Sequence, residues 1–280
     1  MKTVFAVSLF LFILLSACSP APVDAPPPAA TQPPPPAPTQ TAIPPTDVTP
    51  PTETPPPTET PAPTETSVPP TQTALPEGIL FRDDFEGYFQ PGWEWMNEDP
   101  SRWSLVEFDQ GGWLRIVGDK PGGFEAQKNT LMRPLPEGDF AINAHVVADP
   151  RQNHHQANIF LFEDPQNYIR LNFGFCDHCG LPTSGHGYFM ETVIQNNPFG
   201  DFYVLQRDPE EKDVYLRLVN QNGSLTGYYA TRPGEWQRIG AFGNYFRFVS
   251  VGIGATNSLP DNMNAEDIEA LFDYFEITLP

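Results

Sequence analysis

The sequence predicts an all-β domain, a sandwich or barrel of short antiparallel strands, behind a long disordered linker. Three observations predict it. Alternating apolar and polar runs recur from residue 78 to the C-terminus, each bounded by Gly, Pro, Asn or Asp. No run in that span has the length and 3.6-residue period of an ordinary helix. Residues 19–77 are mostly Pro, Thr and Ala, with no aromatic residue and no Lys or Arg.

Residues 1–17 read as a signal peptide. Lys2 supplies a short positive region, and Val4 to Leu15 are apolar except Ser8. That run is too short to span a bilayer and suits a signal-peptide core. Leu15-Ser16-Ala17-Cys18 follows. Small residues before a cysteine at this position resemble the lipobox of bacterial lipoproteins. The resemblance implies cleavage before Cys18, a diacylglyceryl thioether on its sulfur and acylation of the new amino group. Several acyl chains on one residue hold a protein stably in a lipid bilayer, whereas one chain does not. The expected location is therefore extracytoplasmic, membrane-anchored at the bacterial cell surface. The plainer alternative is a secreted protein with a chance cysteine.

Residues 18–77 begin with Cys18 and continue as a stalk. Pro-Thr-Glu-Thr repeats at 51, 57 and 63. Such a composition cannot bury enough apolar surface to offset the entropy of ordering. Proline at this density favours polyproline II, so the stretch could reach on the order of 180 Å at about 3.1 Å per residue. Threonines beside prolines are also suited to O-glycosylation.

Residues 78–280 are enough for one substantial core. Expected strands run in order: Gly112–Gly118, Asp139–Ala148, Gln156–Asp164, Gln166–Phe175, Asp213–Asn220, Ser224–Thr231, Glu235–Phe242, Phe248–Thr256 and Leu271–Leu279. Residues 156–164 are apolar on both faces, as in a central strand. Asn222-Gly223 is a hairpin signal. Only Asn264–Ala270 could form a helical turn. Gly252 and Gly254 share one face, which predicts close packing beneath a large aromatic.

The domain carries fourteen basic and twenty-nine acidic side chains, a net of −15. That excludes a nucleic-acid binder, which needs a basic footprint. It is compatible with cations and with neutral ligands such as sugars.

If Cys18 takes lipid, two cysteines remain, in Phe175-Cys176-Asp177-His178-Cys179-Gly180. Three readings compete. An exported chain favours a small-loop disulfide between Cys176 and Cys179. A zinc site could recruit His178, His186 or the His154-His155 pair. Free thiols are the third. A redox Cys-x-x-Cys would need a thioredoxin-like setting, and none is present.

The polar faces of two strands offer a ligand site. Tyr168, Arg170 and Asn172 alternate with apolar neighbours, as do Tyr215 and Arg217. If the two strands lie side by side, their rings could stack on sugar faces while Arg and Asn bond hydroxyls. The bland alternative is a solvated sheet face paired with acids such as Glu191. Pro91–Leu105 holds three of the five tryptophans around Glu98, Asp99 and Arg102. Its residue parity favours core wall over a sugar platform, with Asn97–Ser101 as a turn.

Phe85-Glu86-Gly87, Gly92–Leu105, Gly111–Ile116, Asn129–Val146, Asn167–Leu171 and Phe272–Ile277 occur in an order that resembles the concanavalin A-like jelly roll at the C-terminus of bacterial β-xylosidases. The resemblance covers roughly residues 80–280 and implies a sandwich of two antiparallel sheets. It implies one calcium ion held by carboxylates of the first and last strands, here Asp83, Asp84 and Asp273. By alternation Asp83 faces inward and Asp84 outward, so one of the pair is expected to be a ligand and the other solvent-exposed. Plain acidic edge residues that block strand addition are the alternative. The resemblance also implies that catalysis in those enzymes belongs to a separate propeller. No Glu-x-Asp-x-x-Glu strand motif of sandwich glucanases occurs. The expected function is display of a lectin-like domain that binds extracellular polysaccharide or glycan. A protein-interaction module and a glycan hydrolase are the alternatives.

Overall fold

The structure, a computed structural model, describes residues 75–109, 111–118, 128–181, 185–243, 245–257 and 266–280. The expected signal peptide, Cys18 and the expected stalk as far as residue 74 lie outside the described residues. Fifteen strands and no helix occur among the described residues. They are β1 (Ile79–Asp83), β2 (Glu94–Met96), β3 (Trp103–Phe108), β4 (Gly111–Gly118), β5 (Thr130–Pro134), β6 (Phe140–Ala148), β7 (His155–Asp164) and β8 (Asn167–Phe175). The second half holds β9 (His186–Ile194), β10 (Asn197–Gln206), β11 (Asp213–Gln221), β12 (Ser224–Ala230), β13 (Gln237–Gly243), β14 (Ser250–Asn257) and β15 (Ile268–Thr278). Over the described part of the helical turn expected at 264–270, residues 266–270, no helix forms: Ile268–Ala270 open β15 and bury Ile268 and Ala270.

Two antiparallel sheets result. The first runs β13-β12-β11-β6-β15-β4-β3, with β1 also on β15. The second runs β10-β9-β8-β7-β14-β5-β2. β7, apolar on both faces, is central in its sheet, as its composition predicts. Asn222 and Gly223 both take positive φ, 52° and 73°, which is the type I′ geometry that their identities favour.

Inner faces interdigitate in one core. Ile142, Ala144 and Val146 of β6, Leu216 and Leu218 of β11, and Phe272, Phe275 and Ile277 of β15 meet Ile159, Ile169, Leu171, Met190 and Ile253 of the other sheet. A smaller apolar cluster of Phe160, Phe162, Tyr168 and Val193 lies on the opposite face of the second sheet. Gly252 and Gly254 lie on that face. A side-chain carbon at Gly254 would stand 3.5 Å from the Phe160 ring.

The tryptophan-rich stretch is core wall. Trp93, Trp95 and Trp103 pack against the main core. Trp95 and Trp103 rings lie 4.8 Å apart, and Trp93 meets Phe275 edge-on at 5.0 Å. The carboxylates between them are turn chemistry. Asp99 Oδ1 accepts from Ser101 N and Oγ, at 3.1 and 2.6 Å, and Glu98 accepts from Trp103 Nε1 at 3.1 Å.

The sheets pinch together at one end. A side-chain carbon at Gly118 of β4 would stand 2.7 Å from the Ala255 carbonyl of β14, in the other sheet. Backbone cannot give way as a flexible side chain can. Gly118→Ala is expected to destabilise the domain by about 2 kcal/mol or more. That is roughly 4–8 °C in Tm by calorimetry for a domain of this size. A shift under about 1 °C would mean that the sheets part easily here.

Candidate functional site

β8 and β11 are in different sheets, so Tyr168, Arg170 and Asn172 do not lie beside Tyr215 and Arg217. The expected joint site is corrected to two separate faces. Both strands alternate in the same way, and alternation assigns a face within a sheet but not the sheet itself.

The β8 residues are buried. Tyr168, Arg170 and Asn172 are 1%, 2% and 0% exposed. Arg170 Nε and Asn172 Nδ2 both donate to Glu191 Oε1, at 2.7 and 2.8 Å. This is a structural ion pair with an amide brace, and the acidic partner is the one that the bland alternative names.

The outer face of the first sheet is open and polar. Five strands place Tyr228, Arg217, Asn143, Glu276 and Arg82 in one row. Arg217 Nη1 donates to Asn143 Oδ1 at 3.0 Å, and Asn143 Nδ2 donates to Glu276 Oε1 at 3.0 Å. Arg82 Nη1 donates to the other Glu276 oxygen at 3.0 Å. The next row stacks Tyr215 on His145, with ring centres 4.2 Å apart and planes 6° from parallel. Asp213 and Asp273 bond the two His145 nitrogens at 2.6 and 2.8 Å. Burial, then Asp213 and Asp273, push the Tyr215 phenol up, so it stays a donor at neutral pH.

At the end of the first row is a groove of about 370 Å³. Arg217, Val219, Gln221, Tyr228, Trp236 and Pro280 line it. The Arg217 guanidinium carbon stands 5.6 Å from the Trp236 ring centre. Trp236, Tyr228 and Gln221 are not among the residues that sequence reasoning selects. The turn at Asn222-Gly223 carries a signal for one of them, since a two-residue turn pairs Arg217 with Tyr228 by counting. A larger cavity of about 640 Å³ borders the β3–β4 hairpin, and its lining is mainly acidic side chains and backbone, with Phe108 as its one ring.

The three expected calcium ligands are not brought together. Asp84 is exposed and bonded to Arg82 at 2.6 Å, and Asp273 is turned to His145. Asp83 is 1% exposed and already accepts three donors: Phe85 N at 2.9 Å, Gln90 N at 2.8 Å and Trp93 Nε1 at 2.8 Å. The inward Asp83 and outward Asp84 agree with the alternation. Their separation from Asp273 comes from a bulge in β15, between Phe272 and Tyr274, that re-aims the residue between them. Burial pushes the Asp83 carboxyl up against the pull of its three donors. Arg133 lies over the Phe81 ring at 3.0 Å, and burial holds it down at about 10.

Cys176 and Cys179 form a disulfide, with Cα atoms 5.5 Å apart, in the connection from β8 to β9. Of the four histidines considered as metal partners, two are engaged elsewhere. His155 Nε2 bonds the Glu266 carbonyl at 2.7 Å, and His186 Nδ1 bonds Arg207 at 2.9 Å. His154 and His178 sit beside the disulfide, with ring centres 5.1 Å apart.

A model of the β-xylosidase C-terminal concanavalin A-like domain matches residues 82–278. The chain belongs to that family. Solved structures of GH43 and related proteins share the fold at low identity. A GH43 protein of Bacillus licheniformis matches with TM-score 0.57 and 19% identity, over 75% of this chain and 41% of its own. A xylan β-1,4-xylosidase of Bacillus halodurans matches with TM-score 0.54 and 18% identity, over the same shares. The chain thus spans about two fifths of the length of these two proteins. A Bacillus licheniformis β-glucanase is covered over its full length, with TM-score 0.53 and 11% identity. No curated protein matches the chain.

In this family member Asp83 ties down the loop from Phe85 to Trp93, as the three hydrogen bonds above show. Asp83→Ala strands all three donors and is expected to cost about 3 kcal/mol or more in urea unfolding. Asp83→Asn presents only one oxygen to donors that now meet two, so it is expected to recover less than half of the loss. Full recovery by Asn would show that charge and both acceptors are dispensable.

Proposed function

We propose that this domain binds a neutral polysaccharide, without cleaving it, and is displayed at the bacterial cell surface on a lipid-anchored stalk. The groove at Trp236 carries this reading. An aromatic ring, a second ring at Tyr228, a guanidinium fixed by Asn143 and an amide at Gln221 edge one open surface. Rings stack on the apolar faces of sugars, and planar donors bond hydroxyl pairs. Glycoside hydrolysis takes two carboxylates flanking the bond, whereas this groove presents rings, guanidinium and amide. The net charge of −15 disfavours acidic glycans. The solved relatives include a xylan β-1,4-xylosidase, so xylan is the first probe.

A second reading, a protein-interaction module, has one observation in its favour. Tyr245 and Val249 are 65% and 53% exposed before β14, with Phe246 and Phe248 stacked 5.6 Å apart between them.

A glycan array followed by affinity electrophoresis in xylan tests the first reading. Trp236→Ala is expected to weaken binding about tenfold or more, with Tm unchanged to within about 2 °C. Undiminished binding in that variant would place the ligand elsewhere, and no bound glycan at all would favour the protein-interaction reading. Anchoring is tested separately. Cys18→Ser is expected to move the chain from the membrane pellet to the soluble fraction, and retention in the pellet would overturn a lipid anchor at Cys18.

A further inference from the structure

The geometry points to a second, latent site: reduction of the Cys176–Cys179 disulfide turns this loop into a tetrahedral Zn²⁺ site completed by His154 and His178. One ligand atom each of His154, Cys176 and His178 already lies within 4.8 Å of the others. Cys179 is one bond from Cys176. Zinc bonds of ~2.3 Å to sulfur and ~2.0 Å to nitrogen set ligand atoms about 3.3–3.8 Å apart. The cluster therefore needs to close by about 1 Å, while the released sulfurs spread apart. Two thiolates with two imidazoles are a donor set that selects zinc, and Cys-x-x-Cys is a spacing found in structural zinc sites.

Backbone ties hold these residues in place independently of the disulfide. His154 N donates to the Phe175 carbonyl at 2.8 Å, and Cys176 N donates to the Gly185 carbonyl at 2.7 Å. Asp177 N donates to Asn153 Oδ1 at 3.1 Å. Two details suit a metal. His154 Nε2 is buried with no hydrogen-bond partner, an arrangement that native proteins rarely leave unused. His178 Nδ1 bonds Asp177 Oδ1 at 2.8 Å, which leaves Nε2 open. A carboxylate on the far nitrogen is the usual support of a zinc-bound imidazole. Asp177 and His178 are exposed, so the site is reached from solvent.

The chemistry balances as follows. A dithiol reductant delivers two electrons and two protons, becomes a disulfide itself, and leaves two thiols where the Cys176–Cys179 bond was. Zn²⁺ then displaces both thiol protons to solvent, and two thiolates cancel its charge beside two neutral imidazoles.

The test compares the intact chain before and after reduction by a phosphine, which takes oxygen from water to become its oxide and competes little for zinc. Zn²⁺ affinity is read by competition with a chromophoric chelator, and Co²⁺ serves as the spectroscopic stand-in. Reduction is expected to raise Zn²⁺ affinity about a hundredfold or more, with one ion per chain. Bound Co²⁺ is expected to show intense tetrahedral visible bands and a thiolate charge-transfer band. His178→Ala, an exposed loop change that spares the fold, and His154→Ala are each expected to lose about tenfold or more. Equal affinity in both redox states would overturn the switch. Unchanged affinity in both histidine variants, or a weak octahedral Co²⁺ spectrum, would overturn the ligand set.

Discussion

The pairing of β15 is the constraint on which the domain depends. One of its edges bonds β6 along most of its length, while the other bonds β4 first and then β1. A strand with three partners ties the beginning, middle and end of the domain into one sheet. Its inward Phe272, Phe275 and Ile277 fill the core, and its outward Glu276 links Asn143 to Arg82 on the open face. The bulge at Asp273 lets inward and outward residues keep their faces across the change of partner. Core and open face therefore share one register, and a slip by one residue would exchange them.

What was legible in the sequence was local. Alternation located the major strands, and Asn222-Gly223 located a hairpin together with its cross-strand pairs. Cysteine parity, read with an expected export, favoured the disulfide that the structure contains. Spaced motifs were enough to identify the family, and several of them fall on turns and core positions of this fold. The candidate site was less legible. Tyr168-Ile169-Arg170-Leu171 and Tyr215-Leu216-Arg217-Leu218 are nearly the same pattern, yet Tyr168 and Arg170 are buried, whereas Tyr215 stacks on His145 and Arg217 edges a groove. Sheet membership follows from pairings between residues far apart in the chain, and periodicity does not carry that information. The carboxylates named for calcium lie apart for a related reason: Asp83 accepts from donors of its own loop, Phe85 and Gln90 among them, and Asp273, at a bulge, bonds His145.

The two outer faces show what polar residues do in different surroundings. On the second sheet Arg170 and Glu191 are removed from water, so each must find its partner inside, and Asn172 braces the carboxylate. Such a buried pair costs desolvation and adds little net stability, though it resists mispairing because a displaced member is left uncompensated. On the first sheet Arg217 keeps one edge on Asn143 and leaves the rest toward the groove. The same residue type thus serves as a rivet in one layer and as a contact surface in the other.

Leu279 N donates to the Gly78 carbonyl at 2.8 Å, so the chain enters and leaves the domain side by side. A fold whose ends meet can be moved between polypeptides as a cassette, joined at either end or inserted into a host loop, without reworking its interior. The GH43 protein of Bacillus licheniformis carries the same fold over 41% of its length, and here the sandwich follows a proline-rich segment. The adjoining ends make that change of host mechanically inexpensive. Evolution can therefore exchange what such a domain is attached to while keeping its core unchanged.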